Sequence, residues 1–214
     1  MLPLTVATED ELSEAVAQRR LLDFPSLEVG LWLRRGGNGY LRSRIRKFCE
    51  MARHSPVLVI TDLDTNTCPA ALCRTWLGNL SHPPGLLLRV AVREVEAWLL
   101  ADHDAMVALI GKHAKGRMPD NPDDLHDPKD RLLELAKRAP RAVRLDLRAE
   151  AGAVARQGLG YNHRLCALVR YRGVLNGPPN DRPACGERSN GLEQYRPDWK
   201  SRSDFRPMKL LVKL

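Results

Sequence analysis

A chain of 214 residues, 43% of them hydrophobic, is long enough to bury a sizeable core and to form one or two domains. Its 34 Lys and Arg against 26 Asp and Glu leave a net charge of +8, which suits a polyanionic partner or an acidic protein surface, while only 5% aromatics argue against a base-stacking platform for single strands. Five cysteines, an odd number with no Cys-x-x-Cys, indicate neither a disulfide framework nor a structural zinc site and read most simply as reduced cytosolic thiols. The N-terminus lacks a basic region ahead of a long apolar one, and no apolar stretch approaches a membrane span, so a cytoplasmic protein without membrane contact is expected.

Leu4 to Thr8 is a short β-prone apolar run that stops at Glu9-Asp10-Glu11. Helical spacing then runs from Leu12 to Leu22, with Leu12, Ala15, Val16, Arg19 and Leu22 in one register. Carboxylates in a first helical turn complement the helix dipole, which gives Glu9 and its neighbours a purely structural reading. Leu27 to Leu33 is the second strand. Arg34-Arg35-Gly36-Gly37-Asn38-Gly39 follows as a flexible loop against which a phosphate could lie, although its spacing matches neither a P-loop nor a dinucleotide fingerprint. Leu41 to Met51 reads as a basic helix carrying Arg42, Arg44, Arg46 and Lys47, either a solvated face or a nucleic-acid contact.

The central stretch is Val57-Leu58-Val59-Ile60-Thr61-Asp62-Leu63-Asp64. Its apolar, largely β-branched run predicts a strand buried on both faces, as in a parallel sheet. Ligands of open α/β sheets bind beyond the carboxyl ends of the strands, where Asp62 and Asp64 would stand. In extended chain, residues i and i+2 point the same way, so both carboxylates could face one pocket. Like charges held close are costly unless a cation lies between them, and Mg²⁺ or Mn²⁺ suits such oxygens. The alternative is plain: Asp is common in strand-to-helix turns and as a helix cap.

A helix from about Cys68 to Leu80 is followed by the breaker His82-Pro83-Pro84-Gly85 and by a fourth strand, Leu86 to Val92. The β-α alternation to this point predicts a mostly parallel four-stranded sheet flanked by helices. Arg93 to Asp102 reads as a helix that places Glu96 on an apolar face beside Val92, Leu99 and Leu100. A carboxylate there needs a metal or a partner, and Arg93 offers an intrahelical ion pair. Lys112 to Pro128, rich in Pro, Asp and Gly, reads as a long mobile loop and a candidate lid. Helices are expected over Lys129 to Arg138, from Arg141 toward Ala155, and over His163 to Tyr171, with irregular chain from Gly173 onward and one last apolar contact at Leu210-Leu211-Val212. The expected organisation is an α/β domain over 4–112, a helical extension over 113–172 and a tail over 173–214.

An acidic residue after the first strand and an Asp-x-Asp after the third resemble the TOPRIM fold of topoisomerases, primases and the nucleases of the OLD family. More narrowly, Leu4 to Leu12, Arg89 to Asp102 with its Glu94-Val95-Glu96-Ala97-Trp98, Asp127-Pro128-Lys129 and Gly160-Tyr161-Asn162 resemble a bacterial TOPRIM-like family whose members often sit beside an ATPase in defence cassettes. The likeness covers about Leu4 to Tyr171. It departs at Asp10, where TOPRIM proteins usually carry Gly.

The resemblance implies a metal-dependent nuclease, the effector of an anti-phage system with a partner ATPase. Glu9, Asp62 and Asp64 would ligate Mg²⁺ or Mn²⁺, Glu96 would complete a second shell of ligands or orient the attacking water, and Lys129 would neutralise the developing oxyanion. Lys129 also reads as an ordinary surface lysine at a helix start. Arg34, Arg35, Arg42 and Arg46 would track DNA or RNA phosphates without reading sequence. The alternative from another class is a non-catalytic regulatory subunit with a degenerate metal site that binds an ATPase or nucleic acid. Nucleotidyl transfer, as in primases, would use the same rim.

Overall fold

A computed structural model describes residues 3–34 and 36–172. Arg35, the tail from 173, its apolar segment Leu210 to Val212 and Cys185 lie outside the described residues. The chain forms β1 (Leu4–Thr8), α1 (Glu11–Leu21), β2 (Val29–Arg34), α2 (Gly37–Met51), β3 (Val57–Asp62), α3 (Pro69–Leu77), β4 (Leu86–Ala91), α4 (Val95–Leu100), α5 (His103–Ile110), α6 (Pro128–Ala136), α7 (Arg141–Leu147) and α8 (Tyr161–Arg172). It divides into two compact units that interleave along the sequence. Among the described residues, the first holds those up to Asp10 together with Leu21–Val90, and the second holds Glu11–Arg20 with those from Ala91 onward. The division therefore falls after Val90, and α1 belongs to the helical unit although it lies between two strands of the sheet in sequence.

The first unit carries an all-parallel four-stranded sheet in the order β2-β1-β3-β4, flanked by helices. The continuous apolar runs became the two central strands. Every residue of β1 is buried, as is β3 from Val57 to Thr61. At the edge, β2 has no fully buried residue, and its Leu31 is 44% exposed. One sheet face presents Ala7, Val57, Val59 and Leu86 to Leu41, Ile45, Phe48 and Cys49, the stripe that helical spacing puts on one side of α2. The opposite side of α2 carries Arg42, Arg44, Arg46 and Lys47, all exposed.

The glycine-rich stretch is not a loop. Gly36 and Gly37 adopt φ of 71° and 70°, a left-handed backbone in which a side chain is strained, and this turns the chain from β2 into a helix that already includes Gly37 to Gly39.

The second unit is helical. Its core joins Leu12 and Val16 of α1 to Leu99, Leu100, Met106, Ile110, Leu132, Leu133, Leu147, Tyr161, Leu165 and Val169. The stretch read as a lid is pinned instead. Two 3-10 turns, Lys112–Ala114 and Pro122–Asp124, bury Ala114 and Pro122, and Met118 is buried between them. His113 Nε2 sits 3.1 Å from the Leu135 carbonyl, and Arg131 donates to the Arg117 carbonyl at 2.6 Å. Pro and Gly end helices, but here they shape a packed connection. The helix expected toward Ala155 stops at Leu147, where an antiparallel bridge pairs Arg148 with Gln157.

Candidate functional site: a carboxylate rim and a buried ion-pair network

The strand order reverses its direction of growth between β1 and β3, because the chain moves from β1 out to β2 and then returns to the other side of β1. In sheets of this kind the crevice at the carboxyl ends of such a strand pair is where ligands bind. Thr8 stands opposite Ile60, so Glu9 reaches the end of β3 one step further on. Its Oε1 accepts a short hydrogen bond from the Thr61 hydroxyl and a 2.8 Å bond from the Asp62 backbone N–H. The chain after β2 closes on the same edge. Gly37 N–H donates to the Glu9 carbonyl at 3.3 Å, and Asn38 Nδ2 donates to Asp64 Oδ2 at 2.7 Å.

The route by which Asp64 joins the rim differs from expectation. Strand geometry ends at Asp62, and Asp64 has φ of 49° in a turn, so the two aspartates are not two residues of one extended segment. Asp tolerates the left-handed region better than most residues. Asp64 still lies close enough that its charge, with that of Asp10, disfavours ionised Glu9.

Burial is the main cause that lifts the Glu9 carboxyl above its ordinary 4.5, and Asp64 and Asp10 add to it, while the bonds from Thr61 and Asp62 oppose the rise. The proton is therefore favoured in the folded chain. This group's stabilising contribution is full below 4.5 and is lost as pH rises through the higher folded value. Denaturant unfolding over that interval should show stability falling with pH. Glu9→Gln keeps an acceptor for Thr61 and Asp62 and should flatten the dependence, so an unchanged slope in that variant would assign the effect elsewhere.

The donor set at this rim is all oxygen, the chemistry that Mg²⁺ and Mn²⁺ take. Both hydrogen bonds to the Glu9 carboxylate fall on Oε1, so Oε2 carries none among the described residues. Among the described residues no three His, Cys, Asp or Glu side chains stand grouped as a formed metal cage.

Glu96 and Lys129 come together with each other in the helical unit. Arg93 is not their helical neighbour: it precedes α4 with φ of 62°, and Glu94 is the cap residue. Glu96 is 4% exposed and accepts from the Tyr161 hydroxyl at 2.8 Å. Lys129 Nζ stands 3.5 Å from Glu96 Oε1 and 4.0 Å from Glu94 Oε1, with the Tyr161 ring 5.8 Å away. Glu94 Oε2 accepts from the Lys129 backbone N–H at 3.0 Å, which places a carboxylate on the first turn of α6. Burial, then the charge of Glu96, raises the Glu94 carboxyl, against the pull of Lys129.

Sequence reasoning missed Glu94 and Tyr161 as members of this network. The signals were a carboxylate two residues before Glu96 and a tyrosine whose hydroxyl needs a partner when buried. Beside the network, Asp127 caps α6 through the Asp130 N–H at 2.7 Å and pairs with Arg156 at 2.7 Å. These two partners lower its carboxyl in spite of the opposing effect of burial. Arg34, at the exposed end of β2, and Arg42 and Arg46 belong to the sheet unit, while Arg35 lies outside the described residues. No helix among the described residues is long and apolar enough to cross a membrane. Comparison with known protein families, curated proteins and solved structures finds no match to this chain.

Proposed function

We propose that this chain is a Mg²⁺- or Mn²⁺-dependent, TOPRIM-like nuclease that cleaves phosphodiester bonds at the carboxylate rim of its sheet. The observation that carries the reading is the Glu9 carboxylate crossing from β1 to the end of β3 at the switch point, where Asp62 and Asp64 follow. Glu9, Asp62 and Asp64 would hold the ion. A divalent ion bound there would polarise a phosphate and lower the pKa of an attacking water. Thr61 and the Asp62 N–H hold Glu9 in place through Oε1, so Oε2 is the oxygen it can offer. Asn38 orients Asp64 through Oδ2. The exposed cations of α2 would hold backbone phosphates in a salt-dependent, sequence-independent way. The anti-phage role and the ATPase partner rest on the sequence resemblance alone.

Glu96 and Lys129 satisfy each other's charge in the helical unit. They enter this reading as supports of α4, α6 and α8 rather than as ligand and oxyanion donor. The non-catalytic alternative draws on a specific observation too: the hydrogen bonds of Glu9 give it a structural task, and no cage of three ligands stands formed among the described residues.

Purified protein incubated with plasmid, single-stranded DNA and RNA separates the readings. Cutting should require Mg²⁺ or Mn²⁺, stop with chelator and fall by about a hundredfold or more in Asp62→Ala, the scale seen when one group that stabilises transition-state charge is removed. Equal cutting by the variant would identify a contaminant. Absence of cutting on every substrate, with no heat on Mn²⁺ titration, would favour the regulatory subunit.

A further inference from the structure

A cleft of about 210 Å³ opens in the helical unit, lined by His113, Arg117, Arg131, Glu134, Lys137 and Arg138, with Leu135 at its base. Four cations face one carboxylate there. The helix dipole accounts for Lys137 and Arg138, which follow the C-terminus of α6. It does not account for Arg117, which arrives from the connection after the 3-10 turn at Lys112–Ala114, or for Arg131 near the N-terminal end of α6.

The floor is fixed by hydrogen bonds. His113 Nε2 meets the Leu135 carbonyl at 3.1 Å, and Arg131 Nη2 spends one donor on the Arg117 carbonyl at 2.6 Å. Glu134 neutralises part of the charge, with Oε1 at 2.7 Å from Lys137 Nζ and Oε2 at 3.9 Å from Arg131 Nη1. Lys137's hydrogen bond and charge hold its carboxyl below the ordinary range. The Arg117 and Arg138 guanidiniums have no hydrogen-bond or ion-pair partner among the described residues.

We propose that this cleft is an oxyanion site that takes a phosphate group, with Arg117 and Arg138 as the donors that remain available and Glu134 as the competing internal anion. Guanidinium forks match the geometry of phosphate oxygens, and several converging from different segments hold such a group more firmly than any one alone. The volume lies below the roughly 300 Å³ at which pockets that enclose whole small molecules begin, so the cleft holds a phosphate group and leaves the rest of its carrier in solvent. The site does not depend on the nuclease reading, and it stands whether or not the carboxylate rim cuts.

The test is calorimetric titration of the full chain with inorganic phosphate against a background of chloride at matched ionic strength. Saturable binding is expected. It should weaken by at least about tenfold in Arg117→Gln/Arg138→Gln, since hydrogen bonds to charged groups are lost. It should strengthen by about threefold in Glu134→Gln, the worth of one exposed ion pair released. This opposite sign is what a merely structural role would not produce. Competition by a DNA duplex assigns the phosphate to a nucleic-acid backbone, and a lack of competition assigns it to a small phosphorylated ligand; both uphold the site. No saturable heat beyond the chloride background, or equal affinity in the double arginine variant, overturns it. Both arginines are exposed, so the variants are expected to fold.

Discussion

Lys129→Met should lower the unfolding free energy by about 2 to 3 kcal/mol at neutral pH, somewhat below the cost of stranding one partner of a fully buried ion pair. The discount reflects the partial exposure of Lys129. The substitution leaves Glu96 with only the Tyr161 hydroxyl and beside the like charge of Glu94. The sign with pH follows from Glu94, whose folded carboxyl already lies above its ordinary range. Its contribution is full below its unfolded value and is lost as pH rises. Without Lys129 that slope steepens, so the deficit of the variant should shrink in acid, where the carboxylates take up protons. Urea unfolding at acid and neutral pH measures this, and an equal deficit at both would show that the lysine's charge is not what matters. Adding Glu96→Leu should recover much of the loss, because an apolar group in place of a buried ion often costs little.

Gly85→Ala should cost about 3 kcal/mol, the upper end of overpacking effects, and lower Tm by about 6 to 12 °C. A Cβ on Gly85 would stand 2.0 Å from the carbonyl oxygen of Ala52, the residue that caps α2. Neither neighbour is a side-chain tip that can swing away. Gly85 also accepts from the Val57 N–H at 2.9 Å, so moving it disturbs the start of β3 as well. Gly39→Ala makes the opposite control. It lies inside α2 with nothing within 4 Å of an added Cβ, and should stabilise by about 0.5 to 1 kcal/mol. Thermal unfolding of both variants checks the pair. A Gly85→Ala protein as stable as the parent would mean that the contact between the end of α2 and the start of β4 is loose.

Local pattern was enough to read the sheet. Val57 to Ile60 is apolar at consecutive positions and Leu4 to Ala7 is interrupted only by the β-branched Thr5, the pattern of short strands covered on both sides, and both became central strands. The meeting of Glu9 with the end of β3 followed from the same runs, since parallel neighbours of similar length end together. What escaped was set by longer-range geometry. Asp64 leaves the strand through a left-handed residue, which no periodicity announces. The Glu94 bond to Lys129 spans 35 residues and the Glu96 bond to Tyr161 spans 65, so neither could be read from helical spacing. Gly36 to Gly39 misled because glycine marks both a loose loop and the sharp backbone turn that starts a helix. The Pro-rich stretch after Lys112 misled in the same way, since its anchors, Leu135 and Arg131, come later in the chain.

The interleaving of the two units has a bearing on biosynthesis. The apolar side of α1, with Leu12, Ala15 and Val16, leaves the ribosome well before its partners, since every other member of its core lies at Ala91 or beyond. The Cys166 thiol reaches the Glu11 carbonyl at 3.5 Å across 155 residues. Contacts so remote in sequence must wait for nearly all of the described chain, and they slow folding by the entropy of closing large loops. During translation α2, β3 and β4 can assemble around Phe48 and Val59 while the apolar side of α1 still waits for its partners.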